Sequence, residues 1–364
     1  AMMLIENGVD RKNIIFINRE LSVFDFIQTD KDLIDLIAAY RRKNNPSGRT
    51  YIFIDEVQDI EQWEIAVNSL AQDYTVENEI FISGSNSKLL SGELATRLSG
   101  RYIEMKVFPF SYDEYLDIHG VNTRGRDSYL RYMNDGGLPE LFHLHGEEVH
   151  QRYMEGLRDS IMLKDIVKRY NVKDVGLLEN LFGYIVNNSA NLLSVGSIMK
   201  YMKGRGSRAS YETISSYIGY FQDAYLLHKS ARYNVGGKEL LAGSFKMYPN
   251  DQSYHNYLFP NTRFGKGYIL EGIVYLELIR KGYRVETGIV RDGEIDFVAT
   301  LAGRKLFIQV SYIITDEETA EREYRVFKSI KGEGEKYLVT LDDEIFPVRD
   351  GVRHIQAWNL SSWI

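Results

Sequence analysis

Short apolar runs alternate with amphipathic stretches along the first 85 residues of the chain. The apolar runs at 13–18, 50–55 and 79–85 have the length of single strands and predict buried strands. Between them, apolar residues recur at helical spacing in 31–43 and 60–73, which predicts two amphipathic helices. Strands that alternate with helices predict an α/β fold with a parallel sheet covered by helices.

The pattern changes twice further along the chain. From about 112 to 190 the spacing is helical, with an interruption at NDGGLPE, residues 134–140. Between 191 and 240, short helices precede a predicted hairpin around the Gly236-Gly237 pair. A helix from Tyr268 to Lys281 then leads into several β-rich segments. We therefore predict three domains, which span residues 1–118, 119–240 and 241–364.

The amino-acid composition and the net charge exclude several kinds of protein. The net charge of −7 argues against a general polyanion binder but leaves room for a local basic surface. The absence of cysteine excludes disulfides, thiolate metal sites and cysteine nucleophiles. No run of 18 apolar residues is present, and the first residues lack the features of a signal peptide, so we expect a cytoplasmic protein without a membrane span.

Polar residues follow two of the predicted strands. Asp55 and Glu56 end the second strand, and Ser83, Ser85 and Asn86 end the third. In parallel sheets, ligands bind at the carboxyl ends of the strands. An apolar strand that ends in Asp-Glu is the Walker B pattern, in which one carboxylate holds Mg²⁺ through water and its neighbour orients the attacking water. The alternative is the polar start of a loop, because Asp is also a common helix N-cap.

Three stretches resemble a bacterial and archaeal family of AAA-type ATPases: YIFIDEVQDIEQWE, IFISGSNSKLLSGELATRLSGRY and VFPFSYDEYL. Members of this family join an ATPase core to a C-terminal domain of unknown function that resembles PD-(D/E)xK nucleases. The segments GGLPELF (136–142) and LKDIVKRYNV (163–172) are similar to the helical middle of the family.

The resemblance implies ATP and Mg²⁺ as cofactors and assigns roles to residues of this sequence. Asp55 is then the Mg²⁺-associated acid, Glu56 the catalytic base, and Ser85 or Asn86 the sensor of the γ-phosphate. Arg97 and Arg101 lie where an arginine contacts nucleotide phosphates in its own subunit or in a neighbour of a homo-oligomer. The alternative for each arginine is a solvated side chain or a structural ion pair.

A phosphate-binding loop is missing from the sequence. No GxxxxGK[ST] motif occurs in the 364 residues. In the family this loop precedes the strand that corresponds to 13–18. The glycine-rich stretches at 203–208 and 265–267 lack the preceding strand or the spacing. We therefore expect a parallel-sheet P-loop core of AAA type that is incomplete at its N-terminus, with Asp55 and Glu56 as half of a site.

The middle of the chain is locally basic. Residues 195–240 contain seven lysines and arginines and three acids. Their predicted order of helix, turn, helix and two strands is that of a winged helix, which the family also has, and it makes DNA a possible partner. Packing against a protein partner is the alternative. The candidate phosphate contacts are Lys203, Arg205, Arg208, Lys229 and Arg232.

The C-terminal segment has the order of a restriction-endonuclease-like α/β domain with an altered site. Such a site needs acids on a helix and on adjacent strands to bind Mg²⁺, and a lysine to help activate water. Glu271 and Asp296 occupy the first two positions, but Gln309 and Ser311 stand where the motif has glutamate and lysine. We therefore expect no nuclease activity and a structural role for the two acids, with Glu294 as the acid to consider if cleavage were found.

Two classes of function follow. The first is an ATPase that couples Mg-ATP binding or hydrolysis to a nucleic-acid or protein partner. The second is a non-catalytic binding module with a degenerate nuclease-like domain.

Overall fold

The chain forms two compact units, residues 1–106 and 107–364. The structure, a computed structural model, describes residues 1–85, 102–260, 265–291, 293–331 and 333–364. Asn86, Arg97 and Arg101 lie outside these residues.

The first unit is built on a parallel sheet of three strands in the order β1-β2-β3. The bounds are β1 Ile14–Asn18, β2 Thr50–Asp55, β3 Asn78–Ile82, and helices α1 Met2–Glu6, α2 Asp30–Asn44 and α3 Trp63–Gln72. The predicted strands and helices are thus confirmed. Thr29 and Asp32 begin α2 as a reciprocal capping box.

The two faces of this sheet differ. Alternate strand residues such as Ile17 and Ile52 are buried against α2 and α3, in a core that also includes Leu33 and Trp63. The opposite face carries one phenylalanine from each strand. The Phe53 and Phe81 rings stack at 4.7 Å between centroids, and Phe16 lies 6.3 Å from Phe53. Phe16 and Phe81 are 53% and 43% exposed, so this face presents an apolar row to solvent.

The second unit begins with helices. They are α4 Tyr112–His119, α5 Arg126–Asp135, α6 Glu147–Ile161, a π-helix at Met162–Lys168, α7 Val175–Asn187, α8 Val195–Gly204, α9 Tyr211–Asp223 and α10 Ser253–Leu258. The NDGGLPE interruption lies between α5 and a short 3₁₀ helix, Pro139–Phe142. There, the backbone N–H of Gly137 donates to the buried carboxylate of Asp251 at 2.8 Å.

An eight-stranded mixed sheet runs through this unit in the order β11-β10-β9-β8-β7-β5-β6-β4. Its strands are β4 Leu193–Ser194, β5 Leu227–Asn234, β6 Glu239–Pro249, β7 Arg284–Val290, β8 Gly293–Leu301, β9 Arg304–Val310, β10 Glu335–Thr340 and β11 Val352–Gln356. Two helices complete the unit, α11 Lys266–Arg280 and α12 Glu317–Lys328.

The predicted hairpin is the antiparallel pair β5 and β6, and it is part of this large sheet. Its strand β5 also pairs in parallel with β7, through Arg232 opposite Thr287. The hairpin therefore joins the basic middle of the chain to the C-terminal strands. The predicted boundary between residues 240 and 241 falls within β6, and the predicted boundary at 118 falls within α4. The sequence analysis did not include α12 or β11.

Among the described residues, no helix is both long and apolar enough to cross a membrane.

Candidate functional site

The carboxyl ends of β2 and β3 bring Asp55 and Ser83 together. The backbone continues the sheet past β3, because the N–H of Ser83 donates to the Ile54 carbonyl at 2.9 Å. The Ser83 carbonyl then accepts from the N–H of Val57 at 3.1 Å. In this arrangement the Ser83 hydroxyl donates to Oδ1 of Asp55. The predicted adjacency of the two strand ends is therefore present.

Glu56 follows Asp55 in a left-handed backbone conformation, with φ of 52°. This left-handed residue directly follows the end of β2. The amide of Gln58 donates from Nε2 to Oε2 of Glu56, and the same nitrogen lies 3.5 Å from the Ser85 hydroxyl. The sequence analysis missed Gln58. The only signal for it was its place two residues after Glu56, on the turn that follows the strand.

Arg19 supports this edge from the end of β1. Its backbone N–H donates to the Asp55 carbonyl at 3.3 Å. Its buried guanidinium donates to the carbonyls of Phe24 at 2.5 Å and Asp59 at 3.5 Å. The side chain thus holds the loops that follow β1 and β2, and the hydrogen bonds described for it go to the backbone of those loops rather than to the two acids.

The edge fits the carboxylate part of a magnesium site. Oδ1 of Asp55 accepts from Ser83, and no hydrogen bond reaches Oδ2 from within the part of the chain that the structure describes. Carboxylate oxygens and water are the ligands that Mg²⁺ prefers. The described residues hold no group of three acidic or histidine side chains arranged as a metal site. One or two carboxylates plus substrate phosphates are, however, the usual ligands of Mg²⁺ in nucleotide sites.

A second cluster of charges lies in the second unit, around the buried side chain of Lys246 on β6. Its Nζ is 2.8 Å from Glu271 on α11, 2.8 Å from Glu294 and 3.3 Å from Asp296, both on β8. Tyr248 also donates to Oε1 of Glu271 at 2.7 Å. Two of the predicted nuclease-type acids are therefore brought together, with an ammonium group between them.

Gln309 and Ser311 have different places relative to this cluster. Gln309 accepts from the Asp296 backbone N–H at 3.3 Å and donates to Glu323 on α12 at 3.0 Å. Ser311 continues the sheet through its backbone N–H, which donates to Val339 at 3.0 Å. Asp296 uses its second oxygen to accept from the Val310 N–H at 2.9 Å. These contacts are those of a structural network.

Sequence reasoning missed Lys246. The available signal was a lysine within the apolar run of β6, between Phe245 and Met247, which are both buried. A lysine buried at such a position needs acidic partners.

The cluster shifts the pKa values of its members. Burial first, and then the nearby Asp296 carboxylate, raise the pKa of Glu271 to about 8, although Lys246 and Tyr248 act in the opposite direction. For Lys246, burial favours the neutral amine, but the carboxylates of Asp296, Glu271 and Glu294 outweigh it and raise its pKa. Lys246 is therefore a permanent internal cation rather than a titrating base.

The five basic candidates of the middle segment lie on different elements and differ in exposure. Lys203, Arg205 and Arg208 are exposed on and after the end of α8. Lys229 is exposed on β5, with its Nζ 4.4 Å from the centre of the Phe245 ring. Arg232 is half-buried on β5, between its neighbours β6 and β7. The first three remain candidates for a common contact.

Two family models match parts of the chain. Residues 1–116 match the family described as AAA domain, and residues 126–264 match a domain of unknown function, DUF8612. An uncharacterized protein of Haemophilus influenzae is 32% identical over 342 residues, which cover 93% of this chain and 83% of that protein. The chain belongs to the same family as this protein.

A second similar protein comes from another organism. An uncharacterized protein of Methanocaldococcus jannaschii is 30% identical over 295 residues, which cover 77% of this chain and 65% of that protein. The edge formed by Asp55, Glu56 and Ser83 lies within the AAA domain. The first 116 residues are therefore an ATPase-like domain of AAA type.

Proposed function

We propose that Mg-ATP binds and is hydrolysed at the edge of the three-stranded sheet, with Asp55 as the magnesium-associated acid and Glu56 as the catalytic base. The observation that carries this proposal is the contact between Asp55 and Ser83 at the carboxyl ends of two neighbouring parallel strands of an AAA domain. Ligands of open α/β sheets bind at this edge.

Each residue of the sheet edge has a separate role in the proposed reaction. Magnesium, when bound, neutralises charge on the phosphates. Asp55 would be the residue that holds the metal, and the Ser83 hydroxyl fixes the rotamer of Asp55 through Oδ1. Glu56 accepts the proton of the attacking water. Gln58 orients Glu56 through the bond to Oε2.

This assignment covers the acidic half of the site. The 364 residues contain no GxxxxGK[ST] motif, so the proposal gives the chain no phosphate-binding loop. Ser85 lies at the same edge and is the sensor candidate among the described residues. Asn86, Arg97 and Arg101, which lie outside the described residues, stay assigned to the sensor role and to phosphate contacts within a homo-oligomer.

The test is ATP hydrolysis by the full-length gene product. The variant Glu56→Gln should retain nucleotide binding and lose turnover by at least about a hundredfold, because an amide cannot take up the proton. Glu61→Gln removes the same charge at an exposed position beyond the turn and should leave turnover unchanged. Full activity of Glu56→Gln would place the base elsewhere.

A second candidate function is a non-catalytic module that binds a nucleic-acid or protein partner. It is favoured by the internal ammonium of Lys246, which lies between the acids of the nuclease-like position. A protein that only binds a partner needs a contact surface but no catalytic residues. Binding with no ATP turnover in the full-length protein would support this candidate over the first.

A further inference from the structure

A cleft of about 570 Å³ lies between α6, α7 and α8 in the second unit. Arg158 on α6 and Arg205 after α8 line it, together with Tyr184 and Tyr201. Its volume is within the usual range for small-ligand sites. The match to a domain of unknown function covers all of these residues.

Three of the lining side chains make a continuous series of π contacts. The rings of Tyr184 and Tyr201 lie 4.2 Å apart between centroids, at an angle of 35°. The guanidinium carbon of Arg205 lies 5.1 Å from the centre of the Tyr201 ring. Tyr201 is 38% exposed, and Arg205 is also exposed. A planar group can extend this series, because both aromatic rings and guanidinium planes accept stacked bases.

Positive charge continues from the cleft along the chain. Lys200, Lys203, Arg205 and Arg208 fall within residues 200–208, which contain no acid. Arg158 is paired with Asp159 at 2.6 Å, and Glu179 also lines the cleft, so the charge is concentrated at the end with Arg205. A basic track beside aromatic side chains is the combination that binds single strands.

Polar side chains on α7 and directly after it also line the cleft. The amide nitrogens of Asn180 and Asn188 donate to backbone carbonyls four residues earlier, Gly176 at 2.7 Å and Tyr184 at 2.7 Å. Their amide oxygens remain as the acceptor atoms of these side chains. Acceptors suit the amino groups on the edges of nucleobases.

From these contacts we infer that the cleft binds single-stranded nucleic acid, with bases stacked along Tyr184, Tyr201 and Arg205 and phosphates held by the basic residues 200–208. This inference names the ligand class of the second candidate function and rests on it. It is independent of the nucleotide site in the first unit.

A single strand fits better than a duplex. In a duplex the base faces are stacked on one another inside the helix and cannot stack on a protein side chain. Helix α9, the element that would enter a major groove in a winged helix, is exposed at Tyr211, Glu212, Ser215 and Ser216. This face has no basic residue and one acid, so it is poorly suited to a duplex.

Fluorescence anisotropy with the full chain tests the inference. The probes are a labelled DNA strand and a labelled RNA strand of one mixed sequence of about 15 nucleotides, a usual upper site size, and a duplex of the same length. We expect both single strands to bind more tightly than the duplex, with affinity that falls as salt increases. The affinities of the DNA strand and the RNA strand, compared with each other, show which nucleic acid the cleft prefers.

Variants locate the site. Tyr201→Leu should weaken single-strand binding about tenfold, because it interrupts the stacked series. Arg205→Gln should also lower the slope of log affinity against log salt by about 0.7, whereas Arg205→Lys should keep that slope and lose affinity through stacking alone. Tyr211→Leu and Arg325→Gln, which change an exposed tyrosine and an exposed arginine outside the cleft, are the matched controls. Unchanged melting temperatures show that the variants are folded.

Several results would overturn the inference. These are no single-strand binding at low salt, tighter binding of the duplex, or equal losses in Tyr201→Leu and Tyr211→Leu. Displacement of the probe by polyglutamate as readily as by unlabelled oligonucleotide would assign the cleft to an acidic peptide. If all the cleft variants still bind single strands as the unmodified protein does, the cleft is not the binding site. The second candidate function, a nucleic-acid-binding module, would still stand.

Discussion

The ammonium of Lys246 lies 2.8 Å from Oε1 of Glu271, and their side chains are only 4% and 9% exposed. This contact crosses from the hairpin strand β6 to helix α11, so it ties the basic middle of the chain to the C-terminal segment. It also explains how Glu271, Glu294 and Asp296 come close together without a metal, because one cation faces all three. Removal of that cation leaves buried carboxylates that repel one another.

The variant Lys246→Met should therefore destabilise the protein strongly. The side chain keeps most of its length, but the acids lose their cation, and we expect a loss of about 3–5 kcal/mol in the free energy of unfolding. Urea denaturation measures it. Lys328→Met, at an exposed position in the last turn of α12, should stay within about 0.5 kcal/mol. A loss below about 1 kcal/mol in Lys246→Met would show that the cluster is not held by its charge.

Stability should depend on pH through Glu271. Its pKa is raised from 4.5 to about 8, by burial first and by Asp296 second. Between these values the folded state binds one more proton than the unfolded state, so the free energy of unfolding falls as pH rises. The contribution is at most about 1.4 kcal/mol per pH unit and is present in full below the unfolded pKa. Glu271→Gln should remove this dependence.

The check is the difference in unfolding free energy between Glu271→Gln and the unmodified protein, followed across the same pH interval. As pH rises, the variant should become steadily more stable relative to the unmodified protein. Parallel curves for the two proteins would mean that Glu271 is ionised throughout.

The GGLPE element should be intolerant of a side chain at Gly137. A Cβ there would lie 2.3 Å from the Phe110 carbonyl oxygen and 3.2 Å from Asp251. The backbone cannot relax easily, because Phe110 and Gly137 are also joined by a hydrogen bond of 2.7 Å. We expect Gly137→Ala to lower the melting temperature and to lose about 1–3 kcal/mol.

Gly219→Ala is the matched control for this change. It lies inside α9 with no atom within 4 Å of its Cβ position. Alanine is the better helix former, so this variant should gain up to about 1 kcal/mol. Equal stabilities of the two variants would show that the Gly137 contact is loose in solution.

The chain should not cleave DNA or RNA in the presence of Mg²⁺ or Mn²⁺. The ammonium of Lys246 lies between Glu271 and Asp296, where a metal would bind, and Gln309 supplies an amide where a metal-binding acid is needed. Plasmid and oligonucleotide digestion assays measure this. Metal-dependent cleavage that disappears in Asp296→Ala would contradict the expectation and would direct attention to Glu294.

The 364-residue chain should bind Mg-ATP poorly. Asp55 can hold a metal at this edge only when the phosphates are fixed, and the sequence contains no phosphate-binding loop of the usual type. Isothermal titration calorimetry should show no saturable binding in the micromolar range. A micromolar dissociation constant would mean that other groups of the chain hold the phosphates.

Local pattern was sufficient to predict the sheet edge. Apolar runs of strand length, separated by amphipathic helices, predict parallel strands, and such strands align their carboxyl ends. Asp55 and Ser83 could therefore be placed near each other although 28 residues separate them. Gln58 could not be assigned, because its contact with Glu56 depends on the left-handed turn between strand and helix.

Long-range packing decided the rest. Lys246 reaches Glu271 across 25 residues and Asp296 across 50, and it does so because β5 pairs with β7 and carries β6 beside the C-terminal strands. Strand pairing of this kind depends on which edges meet in three dimensions, and the periodicity of a single segment does not encode it. The sequence by itself therefore determined the strands and helices of the first unit and the acids at the sheet edge. Only the tertiary structure decided that a lysine would stand among the acids of the second unit, since a buried charge takes its partners from whichever elements fold against it.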